Sequence, residues 1–247
     1  MLAEHPAAYG VPAVMTGTGG SDDPHAIIAA SIPRGRRMVS LYYAPGAASM
    51  VVHWLILELG IPHELHLVDT SAGQQKRPEY LALNPNGVVP TLVVDGRPMF
   101  EAAALSMTLA DQHPQAALAP GLGDPQRPHY NQWMFHLANA VQPLFRLWWY
   151  PHEPAGEASV DTVRATTAPR IEAAWTRLDA HLAANGPYLL GESLSAADFY
   201  LAMLMRWSRN MPRPATEWPH LAALALRLKA RPSFKLLYER EGLTEWA

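Results

Sequence analysis

The chain has 247 residues, 49% of them hydrophobic, and a formal net charge of -3 at pH 7. A chain of this length can bury a sizeable core in one or two domains, and its charge gives no basic field to attract a nucleic-acid backbone. It contains no cysteine, which excludes disulfides, thiolate metal sites and a cysteine redox cycle, so any thiol chemistry must arrive with a ligand.

Residues 1–37 differ in composition from the rest of the chain. They are rich in Gly, Pro, Ala, Ser and Thr, lack sustained periodicity and predict a disordered extension. The alternative is that translation begins at Met38, where a strand pattern opens directly. The basic residues of this stretch follow the apolar fragment over 26–32, which argues against a secretory signal. No apolar run reaches the roughly 18 to 20 residues needed to cross a bilayer, so a cytoplasmic location away from membranes is expected.

Residues 38–112 predict a small α/β region with a mixed sheet. β-branched and aromatic runs indicate strands, while Pro45-Gly46 ends the first of them, and Asp95-Gly96 between two apolar runs is a hairpin signal. The predicted elements are a strand over 39–43, a helix over 49–59, a strand over 63–68, a short helix over 77–83, a hairpin over 91–100 and a helix over 101–112.

From residue 114 onward the strand signals stop. The proline-rich sequence over 114–128 predicts a linker or a loop between domains. The remaining sequence carries helical spacing, which makes the second half of the chain all-α. Helices are expected over 130–150, 162–184, 196–210, 220–230 and 233–241.

One helix start can be predicted residue by residue. In S-A-A-D over 195–198, the Ser195 hydroxyl can accept a hydrogen bond from the amide three residues on, while the Asp198 carboxylate reaches back to the Ser195 amide. Leu194 and Phe199 are spaced to form a hydrophobic staple across this turn. The motif is interpreted as a folding feature and not as a catalytic one.

Three segments together resemble the glutathione S-transferase superfamily. They are N-P-N-G-V-V-P-T-L over 84–92, the Glu101 that opens the next helix, and S-A-A-D over 195–198. The turn Y-Y-A-P-G-A-A-S over 42–49, followed by His53, is similar to the bacterial beta-class form Y-Y-x-P-G-A-C-S.

The resemblance implies both a fold and a ligand. The fold is a thioredoxin-like domain over 38–113 with a mixed four-stranded sheet, followed by an all-helical domain over 121–247. Glutathione is then expected as a co-substrate, without a metal, in a protein that forms a homodimer.

Four residues are implied in binding glutathione. A cis Pro90 presents the main-chain N–H and C=O of Val89 to the cysteinyl part of the ligand. Glu101 lies near the γ-glutamyl end, and the amides that follow it, beginning with Ala102, point at a carboxylate. Two alternatives stay open: Pro90 serves only a fold-defining turn, or Glu101 is a first-turn acid that complements the helix dipole.

The sequence departs from the family pattern at two positions. Ala48 stands where the beta class has its cysteine, so no mixed disulfide with glutathione can form. Ala102 stands where the family usually has Ser or Thr, so one side-chain hydrogen bond to the ligand carboxylate is lost, worth about 1.5 to 3 kcal/mol.

Three hydroxyl groups are candidates for activating the ligand thiol. Tyr42 falls where the tyrosine-using classes carry their catalytic hydroxyl, and Tyr43 must point to the opposite face of the strand. Ser49 either caps the following helix or donates to the sulfur. Each could stabilise a thiolate, because a hydrogen-bond donor favours negative charge at the sulfur. His53, one turn further on, is interpreted as a packed histidine.

The acceptor substrate is expected between the two domains. Candidates for its pocket are His136, Asn139 and Trp148, in a stretch rich in Met and aromatic residues that could equally belong to the core. The resemblance implies a glutathione transferase that conjugates or exchanges the thiolate with a small apolar electrophile. The alternatives are a glutathione-dependent disulfide reductase or isomerase, and a non-catalytic binding protein with the same fold.

Overall fold

The computed structural model describes residues 38–246, so the predicted extension over 1–37 lies outside the described residues. The first part of the described chain alternates strands and helices. Its elements are β1 (Val39–Tyr43), α1 (Ser49–Glu58), β2 (His63–Leu67), a 3₁₀ turn (Gln74–Lys76), α2 (Pro78–Leu81), β3 (Thr91–Val94), β4 (Arg97–Phe100) and α3 (Ala102–Gln112).

The four strands form one mixed sheet in the order β2-β1-β3-β4. β1 is parallel to β2 and antiparallel to β3, and β3 pairs with β4 as a hairpin. The hairpin turns at Asp95 and Gly96, with φ angles of 51° and 74°. Both central residues therefore have positive φ, as a two-residue hairpin turn of this kind requires. The predicted mixed four-stranded sheet of a thioredoxin-like domain is confirmed.

Helices cover the sheet on both faces. α1 is buried from Ser49 to Ile56 and, with α3, packs against the sheet residues Val39 and Leu41 in the main core. A smaller cluster on the other face joins α2 to the strand ends and consists of Ala44, Val68, Tyr80 and Val89, with Tyr42 and Ala47 packed against it. Two layers of helix thus hold the ends of β1 and β3 from opposite sides.

After a 3₁₀ turn (Pro114–Ala116), the remaining regular elements of the described chain are helical. None of the helices within residues 38–246 combines the length and the apolar character that crossing a membrane would demand. The helices are α4 (Arg127–His136), α5 (Gln142–Trp149), α6 (Val160–Asn185), α7 (Ala196–Trp207), α8 (Pro219–Lys229) and α9 (Pro232–Glu241).

The helix predicted over 130–150 is interrupted. α4 ends at His136, a π-helical turn follows over Leu137–Val141, and α5 begins at Gln142. Pro143 lies in the first turn of α5 and has no N–H to donate to the carbonyl four residues back. A missing donor at this point explains the wider turn and the break in the helix.

The predicted capping box forms at the start of α7. Asp198 accepts hydrogen bonds from the Ser195 amide at 2.8 Å and from the Ser195 hydroxyl at 3.0 Å. It also accepts from the Leu189 amide at 2.8 Å, which the sequence did not predict. One buried carboxylate thus closes both the helix start and the preceding loop.

Candidate glutathione site

The register of the sheet brings the candidate residues to one edge. Tyr42 in β1 pairs with Thr91 in β3, and Thr91 pairs in turn with Phe100 in β4. The three strands therefore end in one row, and the segments leaving that row are neighbours. These segments are Tyr43 with the turn that follows it, Pro90 with the residue before it, and Glu101.

Val89 offers a main-chain donor and acceptor at this edge. The Val89–Pro90 peptide bond is cis, and Val89 is 9% exposed. Its N–H and C=O make no main-chain hydrogen bond within residues 38–246. The neighbouring Val88 carbonyl, in contrast, accepts from the Tyr80 hydroxyl at 2.7 Å and from Asn84 Nδ2 at 2.8 Å. The chain is held firmly on one side of Val89, while the N–H and C=O of Val89 stay unpaired within the part of the chain that the structure describes.

Glu101 occupies an unusual backbone position at the start of α3. Its φ is 73°, its side chain is exposed, and it makes no side-chain hydrogen bond to the amides of the helix. Ala102 follows it and is buried, leaving its amide but no hydroxyl at the helix start. Beneath this point, Tyr200 donates to Gln142 Oε1, and burial raises the pKa of Tyr200, with the charge of Glu101 adding to the effect.

The two tyrosines of β1 point to opposite faces, as the alternation of a strand requires. Tyr42 stacks on His66 at 4.6 Å between ring centroids and meets the edge of Tyr80 at 6.0 Å. Tyr43 packs against the main core, with its ring 5.8 Å from that of His53. Neither hydroxyl makes a hydrogen bond to another residue of the described chain.

Burial raises the pKa of Tyr43, and the negative charge of Glu241 adds to the effect. Both influences disfavour the phenolate: burial penalises any charge on the ring oxygen, and the carboxylate of Glu241 repels a negative one. The Tyr43 hydroxyl therefore keeps its proton in the neutral range. A protonated phenol is a hydrogen-bond donor.

Ser49 is committed to the turn between β1 and α1, residues 44–48, called here the β1–α1 turn. The Ser49 side chain is fully buried, and its hydroxyl accepts from the Ala44 amide at 3.1 Å. The same hydroxyl is 3.1 Å from the Ala44 carbonyl, to which it donates. It bonds no amide of α1, so Ser49 closes the turn and makes no side-chain cap.

The helical half holds the β1–α1 turn at Gly46. Its amide donates to Glu241 Oε2 at 2.7 Å, and its carbonyl accepts from Trp207 Nε1 at 2.8 Å. Glu241 Oε1 also lies 2.8 Å from Nδ1 of the buried His53. Sequence reasoning missed Glu241 and Trp207. They are 195 and 161 residues away from Gly46 along the chain, so no local pattern links them to it.

The predicted acceptor residues have contacts within the helical half of the chain. His136 packs edge-on against Trp133, and burial lowers its pKa, helped by the charge of Arg177 on α6. Asn139 is exposed in the π-helical turn, and Trp148 lies beneath the guanidinium of Arg164. Within residues 38–246, no hydrogen bond or ring contact joins His136, Asn139 or Trp148 to the β1–α1 turn.

A metal site is not among the features of the described chain. Residues 38–246 contain no group of three or more His, Asp or Glu side chains arranged to hold an ion.

Comparison with known proteins identifies the family. Residues 47–112 match the model of the glutathione S-transferase N-terminal domain, and residues 161–235 match that of the C-terminal domain. Glutathione S-transferase GST-4.5 of Xanthomonas campestris is 31% identical over 209 residues, which cover 83% of this chain and all of that protein. The chain belongs to the glutathione S-transferase family.

Solved structures of family members share the whole described fold. The ternary complex of BphK, a bacterial glutathione S-transferase, is 32% identical with a TM-score of 0.74, and the match covers 83% of this chain and 100% of that one. A glutathione transferase homologue from Sulfitobacter, solved with bound glutathione, is 28% identical with a TM-score of 0.77 and covers 84% and 99% of the two chains.

Proposed function

We propose that the chain binds glutathione at the sheet edge and transfers its thiolate to a small apolar electrophile. The observation that carries the proposal is the unpaired main-chain N–H and C=O of Val89 beside cis Pro90. Such a pair can bind an extended peptide as an added strand. The cysteinyl part of glutathione has the matching donor and acceptor, and the Sulfitobacter homologue holds this ligand.

The γ-glutamyl end fits the start of α3. The exposed Glu101 carboxylate is suited to the ligand's ammonium group, and the first amides of α3 are suited to its carboxylate. Ala102 contributes an amide only. We therefore expect weaker glutathione binding than a hydroxyl at position 102 would give.

Tyr43 is the preferred hydroxyl for stabilising the thiolate. It keeps its proton in the neutral range, and its hydroxyl makes no hydrogen bond within the described chain. Ser49 is less suited, since its hydroxyl is occupied by Ala44. Tyr42 is engaged by ring contacts with His66 and Tyr80. The thiol itself comes from the ligand, because position 48 is alanine.

Matched tyrosine variants test this assignment. Tyr43→Phe should lower kcat with chlorodinitrobenzene about tenfold or more, because one donor to the developing charge is lost. Tyr42→Phe is the control and should change kcat little. Both proteins should still be retained on immobilised glutathione. Equal losses in the two variants would contradict the assignment of Tyr43.

Ala48 and Ala102 favour one alternative, a non-catalytic protein that binds ligands in the same cleft. Retention on immobilised glutathione without turnover of chlorodinitrobenzene or of a glutathione mixed disulfide would support it. Turnover of the mixed disulfide alone would support a reductase. Absence of both binding and turnover would overturn the proposal as a whole.

The proposal includes a homodimer. β4 is an edge strand, and its Met99 and Phe100 are 38% and 37% exposed. Apolar side chains on an open edge are suited to burial against a second copy of the chain. A monomeric mass in sedimentation would contradict this part.

A further inference from the structure

Within residues 38–246, Arg206 is a buried cation without a carboxylate partner. It lies in the last turn of α7, a helix that is buried from Ala196 to Arg206, and is 4% exposed. Its Nε donates to the Tyr238 hydroxyl at 3.0 Å. Among residues 38–246, no carboxylate oxygen lies within 4.0 Å of its guanidinium. Buried arginines are normally paired, because removing the charge from water is costly.

The guanidinium of Arg206 lies directly against the β1–α1 turn at Gly46. A Cβ atom added to Gly46 would stand 2.6 Å from Nη1 and 3.3 Å from Cζ of Arg206. Only a residue without a side chain allows this approach. The positive charge is therefore held against the main chain of the β1–α1 turn.

The charged and titratable groups around this point are few. Glu241 on α9 lies at the Gly46 amide, where its oxygens are taken by that amide and by His53. Tyr238, also on α9, accepts from Arg206. Arg209 follows α7 and is paired with Glu245 at 2.5 Å. Tyr43 on β1 stays protonated in the neutral range. Among the described residues, the guanidinium thus lacks a contacting anion of its own.

We propose that Arg206 is a positioning residue that holds the β1–α1 turn and stabilises the thiolate of glutathione bound there, an inference that rests on the proposed glutathione site. A thiolate formed beside the turn brings a negative charge close to a buried positive one. In a poorly solvated setting that attraction favours the ionised thiol. The free thiol ionises near pH 8.5, about the cysteine value, so such help matters at neutral pH.

Titration of the bound thiol tests the inference. The ultraviolet absorbance of the thiolate is followed against pH for full-length protein saturated with glutathione. In the wild type, the thiol should titrate below free glutathione. Arg206→Met should raise its pKa by about one unit, and Arg206→Lys should keep it low because the charge is retained. Turnover of Arg206→Met should fall at neutral pH and recover as pH rises.

Arg209→Met is the matched control, since it removes a positive charge three residues away that is already paired with Glu245. It should leave the titration unchanged. An equal shift in this control, or no shift in Arg206→Met, would overturn the inference while the proposed function stands. If Arg206→Met does not fold, Arg206→Gln replaces it, because glutamine still has a donor for Tyr238.

Measurements on the wild-type protein alone also test the inference. A bound thiol that titrates at the same pH as free glutathione would overturn the role of Arg206 even where turnover is normal. A wild type that does not bind glutathione would overturn both the inference and the proposed function. The two failures are therefore distinct, because only the second abolishes retention on immobilised glutathione.

Discussion

Two buried carboxylates do similar work in different regions of the molecule. Asp198 accepts from the amides of Ser195 and Leu189, both within nine residues of it. Glu241 accepts from the amide of Gly46 and bonds His53, from which it is separated by 195 and 188 residues. Both side chains are buried, and both fix a turn through main-chain N–H groups.

The comparison separates stability from function. Asp198 closes a helix start within the helical half, so its loss should act on folding alone. Glu241 joins the C-terminal helix to the turn beside the proposed thiol position, so its loss should act on folding and on turnover. The four predictions below test that separation.

Asp198→Ala should have the largest effect on stability. It leaves the amides of Ser195 and Leu189 buried without an acceptor, and each such group costs about 1 to 3 kcal/mol. We expect the free energy of unfolding to fall by about 4 kcal/mol, measured by urea denaturation. The control is Asp161→Ala, which removes an exposed first-turn acid from α6 and should change little. Equal losses of unfolding free energy in the two variants would contradict the stabilising role of the Asp198 hydrogen bonds.

Asp198 should also give stability a particular pH dependence. Burial raises the pKa of this carboxyl from 3.8 to about 6, although the N–H groups of Leu189 and Ser195 oppose the change. The folded protein then holds a proton that the unfolded chain releases between about pH 4 and pH 6. The contribution of Asp198 is fully present below this window and is lost as pH rises through it.

Comparison with Asp198→Asn isolates this effect. The difference in unfolding free energy between wild type and variant should shrink by about 2 to 3 kcal/mol from the acid to the neutral side. Urea denaturation at several pH values measures it. A constant difference would mean that Asp198 has the same pKa in the folded and unfolded chains.

Glu241→Ala should lower both stability and turnover. It removes the acceptor of the Gly46 amide and the partner of His53, so we expect the free energy of unfolding to fall by about 2 kcal/mol. Water that enters the space left by the side chain limits this loss. Turnover with chlorodinitrobenzene should fall as the turn loosens. Glu239→Ala, an exposed acid on the same helix, is the control. Unchanged turnover in Glu241→Ala would mean that Glu241, like Asp198, acts on stability alone.

Sequence distance decides how much of this was predictable. The strand Val39–Tyr43, the hairpin at Asp95-Gly96 and the capping box at Ser195 depend on residues close in sequence, and the sequence predicts each of them. The two hydrogen bonds that hold the main chain of Gly46 depend on Trp207 and Glu241, which approach it only in the folded chain. No local pattern could have identified them.

Two local signals in the sequence mark features that appear in the structure. Pro143 inside the predicted helix over 130–150 marks the π-helical turn that splits it. Arg206 stands in the apolar run L-A-M-L-M-R-W of a helix that has to be buried, and a charge in such a place is a candidate for function. The hydroxyl of Ser49, by contrast, could not be assigned from sequence, because its partner is the main chain of Ala44.

Gly46→Ala should give the smallest of these effects on stability, and its value lies in a control that the chain itself provides. Gly46 and Gly96 both have positive φ, at 66° and 74°. An added Cβ at Gly96 meets nothing within 4 Å, whereas at Gly46 it meets Arg206 at 2.6 Å. Backbone strain is thus shared, and only Gly46→Ala displaces the guanidinium. We expect Gly46→Ala to lose about 1 kcal/mol more than Gly96→Ala in urea denaturation. Only Gly46→Ala should also reduce turnover, because it moves the turn itself. Equal losses of stability and turnover would mean that Arg206 yields freely and that its contact with the turn is incidental.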